Sequence, residues 1–386
     1  MKREIISFVK KTFMFFCHIT NFQRANVKTV FFSSFSGQYS DNPRAISEAL
    51  YNEAPDICQI WVIKDKFRDY IPSYVKVVKP MSIKLLIKQS RANVWVLNGA
   101  YSKQSGIYKN KHIYYIQTWH GDRAIKQVGY GAYQAMGQTY RHQEKNLPYM
   151  DDCNLFVVGS DFGAKQARNS FKYNGEILTE GMPRNDKLVN SFLYNKEIEN
   201  IKKKVGISNK KVILYAPTFR DKNEWKQNCD VDLPVVLNIL NNDNNEWVCL
   251  VRSHSLSKGI EIEETDMCFD VTWYPDMSDL LLITDILITD YSSSAADFIL
   301  TGRPVVLSLF DEDEYRNQSR ALCFEPDEAG FLVARNQEEL NMILSNIEKY
   351  DHKKIAEKVN SFFGTKETGC SSRIIAKKII QVCNNQ

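Results

Sequence analysis

Short apolar runs bounded by turn residues alternate with amphipathic stretches along nearly the whole chain, which confines it to a parallel α/β architecture. In the first half the pattern predicts strands at 27–35, 58–63, 75–78, 92–97, 113–118 and 155–159, with helices at 43–53, 82–90 and 162–171. In the second half it predicts strands at 212–216, 247–252, 269–271, 286–289 and 304–308. Helices are predicted there at 233–240, 277–283, 292–300, 338–349 and 355–362. Two such series imply two Rossmann-like, doubly wound domains facing each other across a cleft. The length of 386 residues also exceeds what one hydrophobic core usually organises. Glycine and proline in Gly181-Met182-Pro183-Arg184-Asn185-Asp186 interrupt the pattern, so the expected domains are 27–183 and 184–386. The closing amphipathic helix, 371–382, is assigned to the second domain, although it can also cross back onto the first.

Charge is placed unevenly. Residues 1–28 carry a local +5, while the whole chain has a formal net charge of +4. No basic face combines with base-reading or stacking elements, so nucleic acid is excluded as a partner. Segment 1–26 mixes Ile5, Ile6, Phe8, Val9, Phe13, Met14, Phe15, Phe16 and Ile19 with lysines, too short and too charged to span a bilayer. It reads as an amphipathic contact with a membrane surface or as a helix packed on the protein's own core. A secretory signal fits less well, because Lys10-Lys11 breaks the apolar run. The nine cysteines are dispersed without a CxxC pair, which points to reduced thiols and gives no metal-ligand spacing. The acidic run Asp311-Glu312-Asp313-Glu314 reads as a solvated loop rather than a divalent-metal site. No metal or cofactor is expected.

Ligands of open α/β sheets bind beyond the carboxyl ends of the strands. Two histidines occupy that position, His120 after 113–118 and His254 after 247–252. Imidazole exchanges protons near neutral pH and, as a cation, stabilises phosphate charge. Gly121 permits a sharp turn beside His120, and Lys126 offers a point charge nearby. Thr218 and Arg220, in Ala216-Pro217-Thr218-Phe219-Arg220-Asp221, can donate to phosphate oxygens; a surface pair between Arg220 and Asp221 is the alternative. Arg252 sits at the end of a strand expected to neighbour that loop. The hydroxyl-rich helix start after Asp290, with Ser292, Ser293 and Ser294, offers free N–H groups to an anion or simply caps its helix. Asp297, further along, can face a ribose hydroxyl or solvent.

These segments, together with Gly181–Asp186 and Tyr274-Pro275-Asp276, run in the order found in one family. The chain resembles the CDP-glycerol glycerophosphotransferase family, the teichoic-acid primases and polymerases of Gram-positive bacteria, over about residues 113–310. The resemblance implies a GT-B-like glycosyltransferase fold and peripheral attachment to the cytoplasmic face of the cell membrane. It implies transfer of polyol phosphate from CDP-glycerol or CDP-ribitol to a lipid-linked or polysaccharide acceptor, with release of CMP. By the same resemblance His120 is the general base and His254 stabilises the donor pyrophosphate. Lys126, Thr218, Arg220, Arg252, Asp290, Ser292, Ser293 and Asp297 then serve the donor. One departure stands out: after Trp119-His120-Gly121 the family usually continues Thr-Pro-Leu-Lys, whereas this chain has Asp122-Arg123-Ala124-Ile125-Lys126. A nucleotide-sugar glycosyltransferase of the same fold is the alternative reading.

Overall fold

Runs such as Val94–Leu97 and Ile286–Thr289 are buried at every position, as strands covered on both faces by helices must be. The computed structural model describes residues 8–9, 12, 15, 28–99, 109–135, 150, 152–218, 220, 231–241, 246–253 and 265–385. The chain divides into two units, one of residues 1–122, 138–186 and 366–386, the other of residues 123–137 and 187–365.

The first unit holds β1 (Thr29–Ser33), β2 (Cys58–Val62), β3 (Val75–Val78), β4 (Val94–Leu97), β5 (Tyr114–Gln117), β6 (Leu155–Val158) and β7 (Glu176–Thr179). They form one sheet in the order β3-β2-β1-β4-β5-β6-β7, with every pairing parallel. The second unit holds β8 (Lys211–Ala216), β9 (Trp247–Val251), β10 (Cys268–Asp270), β11 (Ile286–Thr289), β12 (Val305–Ser308) and β13 (Leu332–Ala334). Their order is β10-β9-β8-β11-β12-β13, again all parallel. Each sheet is therefore doubly wound, with its strand order reversing between β1 and β4 and between β8 and β11. Ligand crevices open at such reversals.

The first core gathers Val30, Phe32, Ile46, Leu50, Trp61, Val94 and Ile116. Phe32 stacks on Trp61 with ring centroids 5.1 Å apart, and the buried indole N–H donates to Ser47 Oγ at 3.2 Å. The terminal helix Ser371–Asn385 belongs here rather than with the second domain. Its apolar face of Ile375, Ala376, Ile379 and Cys383 completes this core. The Asp186 carboxylate accepts from the N–H groups of Ser371 and Ser372, at 2.9 and 2.7 Å, and so caps that helix. The chain changes unit at Asp186/Lys187, at the end of the Gly181–Asp186 stretch, while residues 123–137 also belong to the second unit and residues 366–386 return to the first.

Two strands escape the periodicity. β7 exposes Glu176 and leaves its other residues half-buried, and β13 is only three residues long; both lie at sheet edges. The acidic run is not a loop either. It opens the helix Glu312–Gln318, whose first turn holds Glu312, Asp313 and Glu314, where negative charge complements the helix macrodipole.

Candidate active site

In the first unit, the strand reversal places Ser34 after β1 and Asn98 after β4. The chain leaving β5 passes through Trp119, whose φ of 49° is in the left-handed region. An aromatic residue held there stores backbone strain, so the surroundings must hold it. Three bonds do so: Trp119 N–H donates to Gln117 Oε1 at 2.8 Å, and its carbonyl accepts from Asn42 Nδ2 and Thr118 Oγ1, each at 3.2 Å. The indole also stacks on His120, centroids 4.4 Å apart, and leans on Phe171 at 4.5 Å. His120 itself is exposed.

The imidazole Nδ1 lies 2.8 Å from the backbone carbonyl of Asn98. A carbonyl only accepts, so Nδ1 carries the hydrogen and the neutral ring keeps its lone pair on Nε2. That is the tautomer a general base needs. Beneath the histidine lie polar residues that periodicity does not reveal. Asp41 (φ 63°), Asn42, Asn98 and Arg184 are all buried. Arg184 is legible only through its glycine- and proline-rich motif, and the other three through nothing local.

The residues that depart from the family pattern have partners of their own. Asp122 is buried and accepts from Ser160 Oγ at 2.7 Å, while Ser160 caps the helix Asp161–Ser170 by accepting from Gly163 N–H at 2.8 Å. A carboxylate at that helix start is favourable. Gly163 is required there, because a Cβ would stand 1.8 Å from Asp122 Oδ1. Arg123, in the second unit, pairs with Asp297 at 3.2 Å, both side chains buried. Asp297 therefore faces a guanidinium rather than solvent. Lys126, also in the second unit, bridges Leu322 through its backbone.

The second unit gathers most of the remaining candidates at the carboxyl ends of adjacent strands. The pairing of Tyr215 with Val251 and of Ala216 with Thr289 brings Thr218, Arg252 and Asp290 to one edge, and Leu307 pairs with Thr289 on the next strand. Asp290 accepts from Thr218 N–H at 2.8 and 3.0 Å and from Tyr291 N–H at 2.7 Å. Arg220 joins Asp290 at 2.9 Å, grips Asp311 with two bonds of 2.7 and 3.0 Å, and donates to the Thr218 carbonyl at 2.7 Å. Its guanidinium also sits 5.2 Å from the centroid of Tyr291 and 5.1 Å from that of Tyr315, two rings stacked at 3.6 Å. Burial opposes the Arg220 charge, but the Asp290 and Asp311 carboxylates outweigh it and hold the group above its ordinary range. Burial, with the charges of Asp311 and Asp290, pushes the Tyr291 phenol up, so it stays protonated and donates to Asp311 at 3.0 Å.

Arg220 and Asp290 are thus anchors of the loop framework, with Arg220 paired to both Asp290 and Asp311. Ser292 accepts from Ser294 N–H at 3.2 Å, whereas Ser293 makes no capping bond. His254, Phe219 and Asp221 lie outside the described residues, as does most of segment 1–26.

Residues 13–381 match the family described as CDP-Glycerol:Poly(glycerophosphate) glycerophosphotransferase. A teichoic acid glycerol-phosphate transferase of Staphylococcus aureus is 31% identical over 371 residues, covering 92% of this chain and 94% of that protein. A teichoic acid poly(glycerol phosphate) polymerase of Bacillus subtilis is 30% identical over 335 residues, covering 82% of this chain but 43% of the relative. A solved structure of the wall teichoic acid polymerase TagF, a histidine-to-asparagine variant soaked with CDPG, matches with a TM-score of 0.81 at 28% identity. That match covers 93% of this chain and 90% of the other. With its two doubly wound sheets and a family match spanning nearly its whole length, the chain belongs to the CDP-glycerol:poly(glycerophosphate) glycerophosphotransferase family.

Proposed function

We propose that the protein transfers glycerol phosphate or ribitol phosphate from a CDP-polyol to a hydroxyl of a lipid-linked or glycan acceptor. The observation that carries this reading is the exposed His120 imidazole, tied at Nδ1 to the Asn98 carbonyl and so left with Nε2 as its basic nitrogen. His120 Nε2 takes the acceptor's hydroxyl proton while that oxygen bonds to the β-phosphorus of the donor. The bond from the β-phosphorus to the bridging oxygen breaks, and its electron pair leaves with CMP. Thr218, Arg252, Ser292 and Ser293, near strand ends in the second unit, serve the donor diphosphate, with Lys126 as a further cation. His254 is assigned to the same diphosphate on its place in the sequence, directly after Ser253. Arg220, Asp290 and Asp297 hold the donor loops in shape rather than touching the donor. Most of the rate gain in such a transfer comes from positioning and charge stabilisation.

The test is a panel of CDP-alcohols and UDP-sugars incubated with the purified protein and a candidate acceptor. CMP release with phosphate retained in the product is expected. Release of UDP, without CMP, would replace this reading by nucleotide-sugar transfer.

Peripheral attachment to a membrane surface is part of the same proposal. Among the described residues no helix is long and apolar enough to cross a membrane. Phe8, Val9 and Phe15 are helical and more than half exposed, in a segment rich in lysine and arginine. Such a helix lies in an anionic interface. The full chain should float with phosphatidylglycerol vesicles and a truncation beginning at Val27 should not; equal flotation would remove the anchor.

A further inference from the structure

We infer that Asp41, Asn98 and Arg184 form a positioning ring that fixes His120 by both its backbone and its imidazole. This inference rests on His120 being the base. The ring can be followed bond by bond. His120 Nδ1–H donates to the Asn98 carbonyl at 2.8 Å, and Asn98 Nδ2 donates to Asp41 Oδ2 at 2.6 Å. Asp41 Oδ1 accepts from Arg184 Nη1 at 2.9 Å, and the same Nη1 donates to the His120 carbonyl at 2.9 Å. The circuit closes on the residue where it began.

A second strand of the network reinforces it. Arg184 N–H donates to Asn42 Oδ1 at 3.1 Å, and Asn42 Nδ2 donates to the Trp119 carbonyl at 3.2 Å. The carbonyls of the strained Trp119 and of His120 are thus each held by a buried donor. The ring is dry where it holds and open where it works: Asn98 is fully buried, the Arg184 and Asp41 side chains are each 8% exposed, and His120 is exposed. Charge is balanced inside it, since the Arg184 cation faces the Asp41 anion. Arg184 Nη1, with two N–H groups held in fixed directions by the planar guanidinium, serves both acceptors at once. The chemistry implied is orientation: the ring selects the tautomer and aims Nε2, and small errors in such aim cost rate rather than affinity.

The test uses the full chain carrying Arg184→Lys, Arg184→Gln or Asp41→Asn, with CMP release from CDP-glycerol and histidine 15N spectra as readouts. Arg184→Lys should lower kcat about tenfold, and the other two about a hundredfold, with KM for CDP-glycerol within about twofold of wild type. The His120 15N pattern should move from the Nδ1–H tautomer toward a mixture. Values of kcat within threefold of wild type, losses confined to KM, or an unchanged tautomer would each overturn the ring. If Arg184→Gln fails to fold, Arg184→Lys, which keeps the charge opposite Asp41, decides alone. The spectra need no turnover, so they test the ring even if the donor is another nucleotide. Full activity of His120→Ala would instead overturn the base assignment.

Discussion

His120→Ala lowers the rate of CMP release by about 10²–10⁴-fold, the range that removal of a positioned general base produces. The loss falls on kcat, with donor affinity nearly kept, because the imidazole acts on the acceptor's proton. The fold should survive, since the ring is exposed and its Nδ1 bond is to a main-chain carbonyl. Steady-state kinetics together with a thermal melt checks both halves of this expectation. Turnover within a few-fold of wild type on a folded variant would remove His120 from the chemistry.

Arg220→Met should produce the largest loss of stability among the site variants. It would strip the partner from two carboxylates at once, leaving Asp290, whose side chain is 2% exposed, and Asp311, 20% exposed, facing one another without the cation. Breaking a buried pair by removing one member costs about 3–5 kcal/mol. The stacked Tyr291 and Tyr315 would lose the guanidinium beside them as well. Denaturant unfolding measures this directly, and a change below about 1 kcal/mol would contradict the anchoring role. Arg220→Lys separates framework from ligand contact. As a framework residue it should lose part of the stability and keep donor affinity. Lost affinity with full stability would mean that Arg220 touches the donor after all.

The sequence was most legible where burial is uniform. Val94–Leu97, Trp247–Val251 and Ile286–Thr289 are covered on both faces, so their apolar runs announce central parallel strands. Glu176–Thr179 sits at an edge with one residue exposed and the rest half-buried, so it lacks that signature. The terminal helix showed its apolar face but not what the face meets, because amphipathicity names a side and never a partner.

The site divides in the same way. His120, Arg252 and the serines after Asp290 were singled out because strand ends in such sheets mark ligand positions. The bonds that brace the surrounding loops were not legible, since their partners lie far along the chain. Asp41 and Arg184 are 143 residues apart, and Arg220 and Asp311 are 91 apart. No local pattern encodes such a bond. Asp122 and Arg123 stood out as a break with the family's usual wording, yet only the fold reveals that one caps a helix through Ser160 and the other neutralises Asp297.

The place of the helix Ser371–Asn385 has a consequence for how the protein is made. The unit that leaves the ribosome first cannot finish its core until residues 371–385 have been made, because Ile375, Ala376 and Ile379 complete it. Translation of the intervening residues 187–365 takes roughly 10–40 s at ordinary elongation rates. Throughout that interval the apolar groove around Ile46 and Leu50 waits uncovered, a natural client for a holding chaperone. The unit made later ends at residue 365, before that helix is made, so its core can close first and maturation runs against the order of synthesis.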